Sequence, residues 1–118
     1  MKNLFKLTLV TGIILLFTAA SPAHNHRGKS LVNIYVANGT AWHGNLEIYG
    51  ALNDSFGTSG YYPMGQINTG TYTITLSIGG PAVSHTYMFT NASTQVTSSG
   101  SVTWNNVNIT GTSTGSIY

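Results

Sequence analysis

The chain contains no cysteine, and this absence limits how a small protein can be stabilised or anchored. Neither a disulfide framework nor a lipid anchor on a cysteine is available. At 118 residues the chain has room for one small domain after any leader is removed. We therefore expect its stability to come from a packed hydrophobic core.

Charged side chains are also scarce, since Asp, Glu, Lys and Arg make up 5% of the residues and no Lys or Arg follows Lys29. Binding to nucleic acid or to acidic membrane surfaces needs positive side chains, so neither partner is expected for the folded body. The two acidic residues, Glu47 and Asp54, are too few for a calcium site. Glu47 lies between Leu46 and Ile48 and should face solvent, so a catalytic carboxylate pair is not expected either. We expect no enzymatic activity and no cofactor.

The first 20 residues have the pattern of a secretory signal peptide. Lys2 and Lys6 are accompanied by the apolar run "LTLVTGIILLF", and small residues follow. The apolar run is shorter than the roughly 20 residues that span a bilayer, which favours a cleaved signal over an uncleaved membrane anchor. Cleavage after Ala20 or after Ala23 fits the small-x-small rule.

This pattern predicts a secreted protein, extracellular or periplasmic, that is not attached to a membrane after cleavage. We expect a helical signal peptide at residues 1–23, a flexible lead at 24–30 and a single domain at 31–118. Two positive and two negative side chains remain beyond residue 23, so the mature surface is close to neutral. Interspersed charge normally keeps proteins apart, so its scarcity makes self-association or fixation on a surface plausible.

Beyond residue 30 the apolar residues alternate with a period of two, which indicates β-strands. The clearest strand is "GTYTITLSIGG", where Tyr72, Ile74, Leu76 and Ile78 share one face. We expect this strand to form a hairpin with "AVSHTYMFT", and "STQVT" to form another with "SVTWNNVNIT". The segment between Tyr49 and Met64 should be a long surface loop with at most one short strand.

In "SVTWNNVNIT" the apolar residues change from even to odd positions at Asn105-Asn106. This phase change predicts a β-bulge or bend, where the strand could pass from one sheet to the other. About seven short strands without helix predict an all-β fold, an antiparallel two-sheet sandwich.

One of these strands, "INTGTYTITLSIGG" at residues 67–80, carries a resemblance to known proteins. It resembles the G-x-Y-x-hydrophobic-x-hydrophobic strand of transthyretin-like and immunoglobulin-like extracellular modules, including the carboxypeptidase regulatory-like domains. The resemblance implies a sandwich with a binding or accessory role, and it brings no catalytic residues. Immunoglobulin domains would add a pair of cysteines, which this chain lacks.

Aromatic residues outside the strand pattern are the candidate ligand contacts. They are Trp42 and His43 in "NGTAWHGN" and Tyr61-Tyr62 before Pro63. Exposed aromatic faces stack on sugar rings, so we expect carbohydrate binding or adhesion to a polysaccharide or another cell-surface component. In the alternative, Trp42 folds back to plug the open end of the sandwich while the two tyrosines cover its edge.

Two further functions remain open. The segments "TYTITLSI" and "VSHTYMFT" lack charge and internal proline, so an exposed edge among them would allow self-assembly into a surface or matrix subunit, unless other segments protect it. Cleavage after Ala23 would leave His24 and His26 in an N-terminal His-Asn-His, a square-planar ligand set for Cu(II) or Ni(II). The alternative for these two histidines is a flexible polar tail.

Two sequence motifs have weaker chemical implications. Asn-x-Ser/Thr sequons place Asn38, Asn53 and Asn91 at expected turns, where they would be acceptors in a host that glycosylates secreted proteins. "GTSTG" at residues 111–115 matches the G-x-S-x-G pattern of hydrolases, but it lies in a tail rich in Gly, Ser and Thr. Without a following helix or triad partners, it is not expected to be a nucleophile elbow.

Overall fold

The computed structural model describes residues 30–118, which form nine β-strands and no helix. No helix in this range is therefore long and apolar enough to cross a membrane. The predicted signal helix and the residues up to 29 lie outside the described part of the chain. The strands are β1 (Leu31–Asn38), β2 (Gly44–Ile48), β3 (Leu52–Phe56), β4 (Gly60–Asn68), β5 (Gly70–Ile78), β6 (His85–Phe89), β7 (Gln95–Thr97), β8 (Ser101–Ile109) and β9 (Ser113–Ile117).

These strands form two packed sheets, as the alternating pattern predicts. Sheet A has the order β4-β1-β9-β6-β7, and sheet B has the order β3-β2-β5-β8. All neighbouring strands are antiparallel except β1 and β9, which are parallel. The prediction of a wholly antiparallel sandwich is therefore wrong at this pair, because β9 lies between β1 and β6 in the centre of sheet A.

The two predicted hairpins do not form. β5 belongs to sheet B and β6 to sheet A, and β7 and β8 are likewise in different sheets. The connection after β5 crosses between the sheets through Gly79-Gly80-Pro81, with Gly80 at a φ of 92°. Alternation shows which face of a strand is buried, but both sheets bury a face against the same core, so it does not identify the neighbouring strand.

The segment predicted as a long loop between Tyr49 and Met64 contains β3 and the start of β4, and with β9 these bring the number of strands from about seven to nine. β3 pairs with β2 through a tight turn in which Gly50 has a φ of 82°. The polar run in β3 hides its pattern, because only Leu52 and Phe56 at its two ends pack against the core. A strand at the edge of a sheet needs fewer apolar residues, so its period is weak in the sequence.

The core between the sheets follows the predicted alternation closely. Seventeen apolar side chains are buried. The fully inaccessible members are Ile34, Val36, Leu46, Ile48, Ile74, Leu76, Tyr87, Ile109 and Ile117. Trp104 is also buried, in phase with Val102 as its strand pattern predicts.

The predicted bulge at Asn105-Asn106 is confirmed. The register of β5 against β8 shifts between Tyr72 and Ile74, so that Thr73 alone lies opposite these two asparagines. Asn106 has a φ of 56°, in the left-handed region. The strand does not pass to the other sheet, since β8 pairs with β5 along its whole length. The bulge instead restores the alternation so that Val107 and Ile109 remain in the core.

The predicted Gly/Ser/Thr-rich tail is the central strand β9 of sheet A. Ser113 is almost completely buried and its hydroxyl donates a hydrogen bond to the Gly111 carbonyl at 2.9 Å. A Cβ at Gly115 would lie 3.3 Å from both Leu76 and Phe89, so the small residue allows the sheets to approach each other. The hydroxyl of "GTSTG" is therefore held inside a strand, unlike the exposed serine of a nucleophile elbow.

The two strands whose edges would allow self-assembly if exposed are interior strands of their sheets. β5 pairs with β2 and β8, and β6 pairs with β9 and β7. Neighbouring strands therefore protect "TYTITLSI" along both sides and "VSHTYMFT" in part, since β7 pairs only with His85–Tyr87 of β6. This is the protected arrangement given above as the alternative to an exposed edge. The edges of the two sheets are β3, β4, β7 and β8.

Candidate functional site

Four connections meet at one end of the sandwich, which we call the loop end. They are residues 39–43, 57–59, 79–84 and 98–100. Backbone hydrogen bonds tie them together: the Ser59 amide donates to Thr40, the Gly79 amide to His43 and the Ile78 amide to Gly100, at 2.8 to 2.9 Å. These hydrogen bonds join the four connections of the loop end into one continuous surface.

Asn38, the last residue of β1, fixes the shape of the loop end. Its side chain is buried, and its amide nitrogen donates to the carbonyls of Trp42 at 2.8 Å and Gly57 at 2.9 Å. Its amide oxygen accepts hydrogen bonds from the backbone N–H and the hydroxyl of Thr40, at 2.9 and 2.8 Å. Three of these bonds hold the connection that carries Trp42, and the fourth joins Asn38 to the connection 57–59, so this buried polar group is fully satisfied.

The same geometry bears on the predicted glycosylation of Asn38. Its amide nitrogen is buried and donates to two carbonyl groups, so it is not accessible as an acceptor in the folded protein. The expectation that Asn38 lies at an exposed turn is therefore wrong. Asn53 and Asn91 are exposed.

Trp42 lies over the turn after β5, with 40% of its surface exposed. A Cβ at Gly80 would lie 2.5 Å from the indole ring, so the bare glycine backbone is what allows the ring to rest there. Gly80 also has a φ of 92°, a conformation that favours glycine. The turn therefore supports one side of the indole, and the part of the ring that the turn does not cover is open to solvent.

His43 is the exposed neighbour of Trp42 in the same connection. Its carbonyl accepts the Gly79 amide at 2.9 Å, which holds the connection against the turn under the indole. The following residue, Gly44, begins β2, and a Cβ there would lie 2.3 Å from the Phe56 ring. The chain direction at His43 is therefore set by close packing on its C-terminal side.

Tyr61 and Tyr62 point to opposite faces of β4. Tyr61 is exposed over 61% of its surface and stacks on Tyr35 of β1, with ring centroids 5.2 Å apart and planes 14° apart. Tyr62 is half-buried against the core, with its ring 6.2 Å from that of Phe56, and its hydroxyl donates to the Thr58 carbonyl. Successive residues of a strand face opposite ways, so one tyrosine is presented to solvent and the other supports the loop end.

The structure thus divides the predicted aromatic residues. Trp42 and His43 are adjacent in one connection, while Tyr61 belongs to a separate pair on the outer face of sheet A. No sequence pattern distinguishes Tyr35, its partner in that pair, as a binding residue. Its alternation with Ile34 and Val36 could place it on the outer face, but only the register of β1 against β4 brings it to Tyr61.

The predicted metal ligands His24 and His26 lie outside the described residues. Between residues 30 and 118, no group of three His, Cys, Asp or Glu side chains lies close enough together to hold a metal ion. The candidate site on this part of the chain is therefore an aromatic surface.

Electrostatics add little to the loop end. The only acidic residues, Glu47 and Asp54, belong to β2 and β3, and no Lys or Arg occurs after Lys29. The loop end is therefore suited to a neutral ligand. Comparisons of the chain with protein-family models, with curated proteins and with solved structures found no match, so its interpretation depends on its own chemistry.

Proposed function

We propose that this chain is a secreted, non-catalytic binding module whose ligand is a neutral glycan contacted at the loop end. The observation that carries the proposal is the indole of Trp42, exposed yet held in position by the buried Asn38 network and by the turn at Gly80. A large aromatic side chain normally gains free energy by burial, so a network that keeps it exposed favours a role in contact with a ligand.

The chemistry of the surface supports a sugar. The apolar face of a pyranose ring stacks on an indole, and the ring hydroxyls accept and donate hydrogen bonds to neighbouring polar groups. His43 is adjacent to Trp42 and exposed, so its imidazole is available to such hydroxyls. Because the connection is already ordered, little conformational entropy is lost when a ligand binds.

The tyrosine pair provides a second aromatic surface for a longer chain of sugars. Tyr61 is held parallel to Tyr35, so its exposed ring has a fixed orientation. Tyr62 has a supporting role in this proposal, since its ring packs on Phe56 and its hydroxyl binds Thr58 at the loop end.

The absence of catalysis in this proposal is supported by the placement of the two carboxylates. In the register of β2 against β3, Glu47 lies opposite Asn53, whereas Asp54 lies opposite Leu46. Neighbours across a sheet share a face, and successive residues alternate, so Glu47 and Asp54 point to opposite faces of sheet B. They are not arranged as a pair around a shared substrate.

Retention of the full chain on insoluble neutral polysaccharides tests the proposal. The panel contains cellulose, chitin, starch, xylan and β-1,3-glucan, with Trp42→Ala compared against the wild-type protein. Tyr49→Ala is the matched control, because Tyr49 is 71% exposed and follows β2 at the opposite end of the sandwich.

We expect the wild-type protein and Tyr49→Ala to be retained by at least one polysaccharide, and Trp42→Ala to be lost from it. Thermal unfolding of all three proteins checks that the loss is not due to unfolding. Equal retention of Trp42→Ala, or no retention of the wild-type protein on the whole panel, would contradict the proposal.

A further inference from the structure

A concave surface lies away from the loop end, and we call it the side cleft. It has a volume of about 340 Å³ and lies between the connection from β6 to β7 and the outer edge of β8. It exists because β7 is only three residues long, so the last strands of the two sheets do not close over each other. Its polar lining residues are Asn91, Ser93, Gln95, Thr103, Asn105 and Asn106.

Side-chain hydrogen bonds hold the two walls of the side cleft together. The indole N–H of Trp104 in β8 donates to the Ser93 carbonyl at 2.7 Å. The amide nitrogen of Asn91 donates to the Asn108 carbonyl at 2.8 Å. The Trp104 ring also packs against Phe89, with centroids 6.2 Å apart. The cleft is therefore formed in advance, as ligand sites usually are.

The backbone is locally unfavourable on both walls. Within residues 30–118, the non-glycine residues with a left-handed φ are Asn91 at 66° and Asn106 at 56°, and both line the side cleft. Such conformations are sparsely populated by non-glycine residues and are concentrated at functional sites. Asn106 also belongs to the bulge of β8, a feature that redirects side chains next to binding sites.

The lining indicates the chemistry of a ligand. All residues around the side cleft are uncharged, so phosphates, nucleotides and divalent cations lack partners there. Carboxamides carry both donors and acceptors, which matches the closely spaced hydroxyls of a sugar. The volume is near the lower end of the usual range for small-molecule sites, which suits a short ligand.

A peptide strand is a poorer fit to the same surface. Adding a strand to β8 requires a continuous row of backbone donors and acceptors. The bulge at Asn105-Asn106 interrupts that row. The hydrogen bond from Trp104 to Ser93 also holds the connection from β6 to β7 against β8.

We propose that the side cleft is a second, independent binding site for a short neutral saccharide. The amide of Asn106 holds it, together with the amide groups of Asn91 and Gln95 that their bonds to Asn108 and Ser93 leave free. This site does not depend on the loop end. The chain has two tryptophans, Trp42 at the loop end and Trp104 in the side cleft, so each site contains its own spectroscopic reporter.

The test is an NMR titration of the full chain carrying ¹⁵N-labelled tryptophan. The probes are glucose, galactose, mannose and N-acetylglucosamine, the β-1,4-linked trimers of glucose and N-acetylglucosamine, and trialanine as a peptide control. The variant is Asn106→Gly, because glycine keeps the left-handed backbone and removes only the amide. Asn53→Ala is the matched control, an exposed asparagine of β3 outside the cleft.

We expect at least one saccharide to shift the indole N–H signal of Trp104, with the affinity reduced about tenfold in Asn106→Gly and unchanged in Asn53→Ala. Trp42→Ala should leave this binding intact, which separates it from the loop end. The proposal is overturned if no saccharide shifts the Trp104 signal, if only trialanine does, or if Asn106→Gly binds as tightly as the wild-type protein.

Discussion

The loop end and the side cleft both depend on asparagine, but they use it in opposite ways. At the loop end, Asn38 is buried and all four of its hydrogen bonds join parts of the protein. In the side cleft, Asn106 is exposed and its backbone is held in an unfavourable conformation. The same side chain therefore maintains the shape of one surface and is available to a ligand at the other.

The largest effect on stability is expected from Asn38→Ala. The substitution leaves the Thr40 amide and the carbonyls of Trp42 and Gly57 without their partners in a buried site, which should reduce the free energy of unfolding by about 3 kcal/mol. Urea unfolding measures this change. Asn53→Ala should cost less than about 0.5 kcal/mol, since its one side-chain bond to Asn45 is exposed. Equal losses for both variants would remove the distinction between buried and exposed asparagines.

Gly80→Ala should have the next largest effect, and it tests the support beneath Trp42. The added methyl would lie 2.5 Å from the indole ring at a φ of 92°, so the ring must move. We expect a loss of about 1 to 2 kcal/mol in stability and a loss of polysaccharide retention although Trp42 is still present. Gly50→Ala is the control, because it has a similar φ of 82° but nothing within 4 Å of an added Cβ. If Gly80→Ala is still retained on the polysaccharide, the position of the indole is not needed for binding.

At Asn106 the backbone conformation should matter more than the side chain for stability. Asn106→Val places a β-branched residue at a φ of 56° and should lower the free energy of unfolding by about 1 to 2 kcal/mol. Asn106→Gly should be within about 0.5 kcal/mol of the wild-type protein. Chemical unfolding of the two variants distinguishes them. If glycine destabilises as much as valine, the amide of Asn106 has a structural role like that of Asn38.

Tyr87 offers the smallest effect and a contrast to Asn38, because its buried hydroxyl has no hydrogen-bond partner. Tyr87→Phe should leave stability at neutral pH unchanged or slightly raised. Burial raises the pKa of Tyr87 above its ordinary value of 10.0. The Tyr87 hydroxyl therefore ionises first in the unfolded chain. The free energy of unfolding is unaffected by this ionisation below pH 10.0 and falls as the pH rises from there through the folded-state pKa.

Unfolding measured between neutral pH and strongly alkaline pH tests this sign. The wild-type protein should lose more stability than Tyr87→Phe over the alkaline part of the range. Parallel curves for the two proteins would show that the hydroxyl ionises equally in both states.

The sequence predicted the all-β class, the buried faces and the bulge, because alternation and its phase are local properties of a strand. It did not predict that β5 and β6 lie in different sheets, since strands of both sheets bury a face against one core. It also missed β9, where Ser113 and Gly115 fill a central strand without an apolar pattern. Small residues there are required by the close approach of Leu76 and Phe89, which depends on the tertiary structure.

The candidate site was predictable only in part, for the same reason. Trp42 stands out because no strand pattern buries it, but its support depends on Gly80, 38 positions later in the sequence. Tyr61 and Tyr62 are adjacent in the sequence, yet the strand turns them to opposite faces. The side cleft is assembled from β8 and the connection before β7, and neither segment has a binding pattern of its own.

The most direct test of the account compares the affinities of wild-type protein, Trp42→Phe and Trp42→Ala for the polysaccharide that retains the wild-type chain. Sedimentation depletion of each full chain measures these affinities. If the exposed indole stacks on a sugar ring, the order should be wild type above Phe above Ala, with all three proteins still folded at the assay temperature. Equal affinities for the three proteins would contradict a ligand-binding role for the loop end.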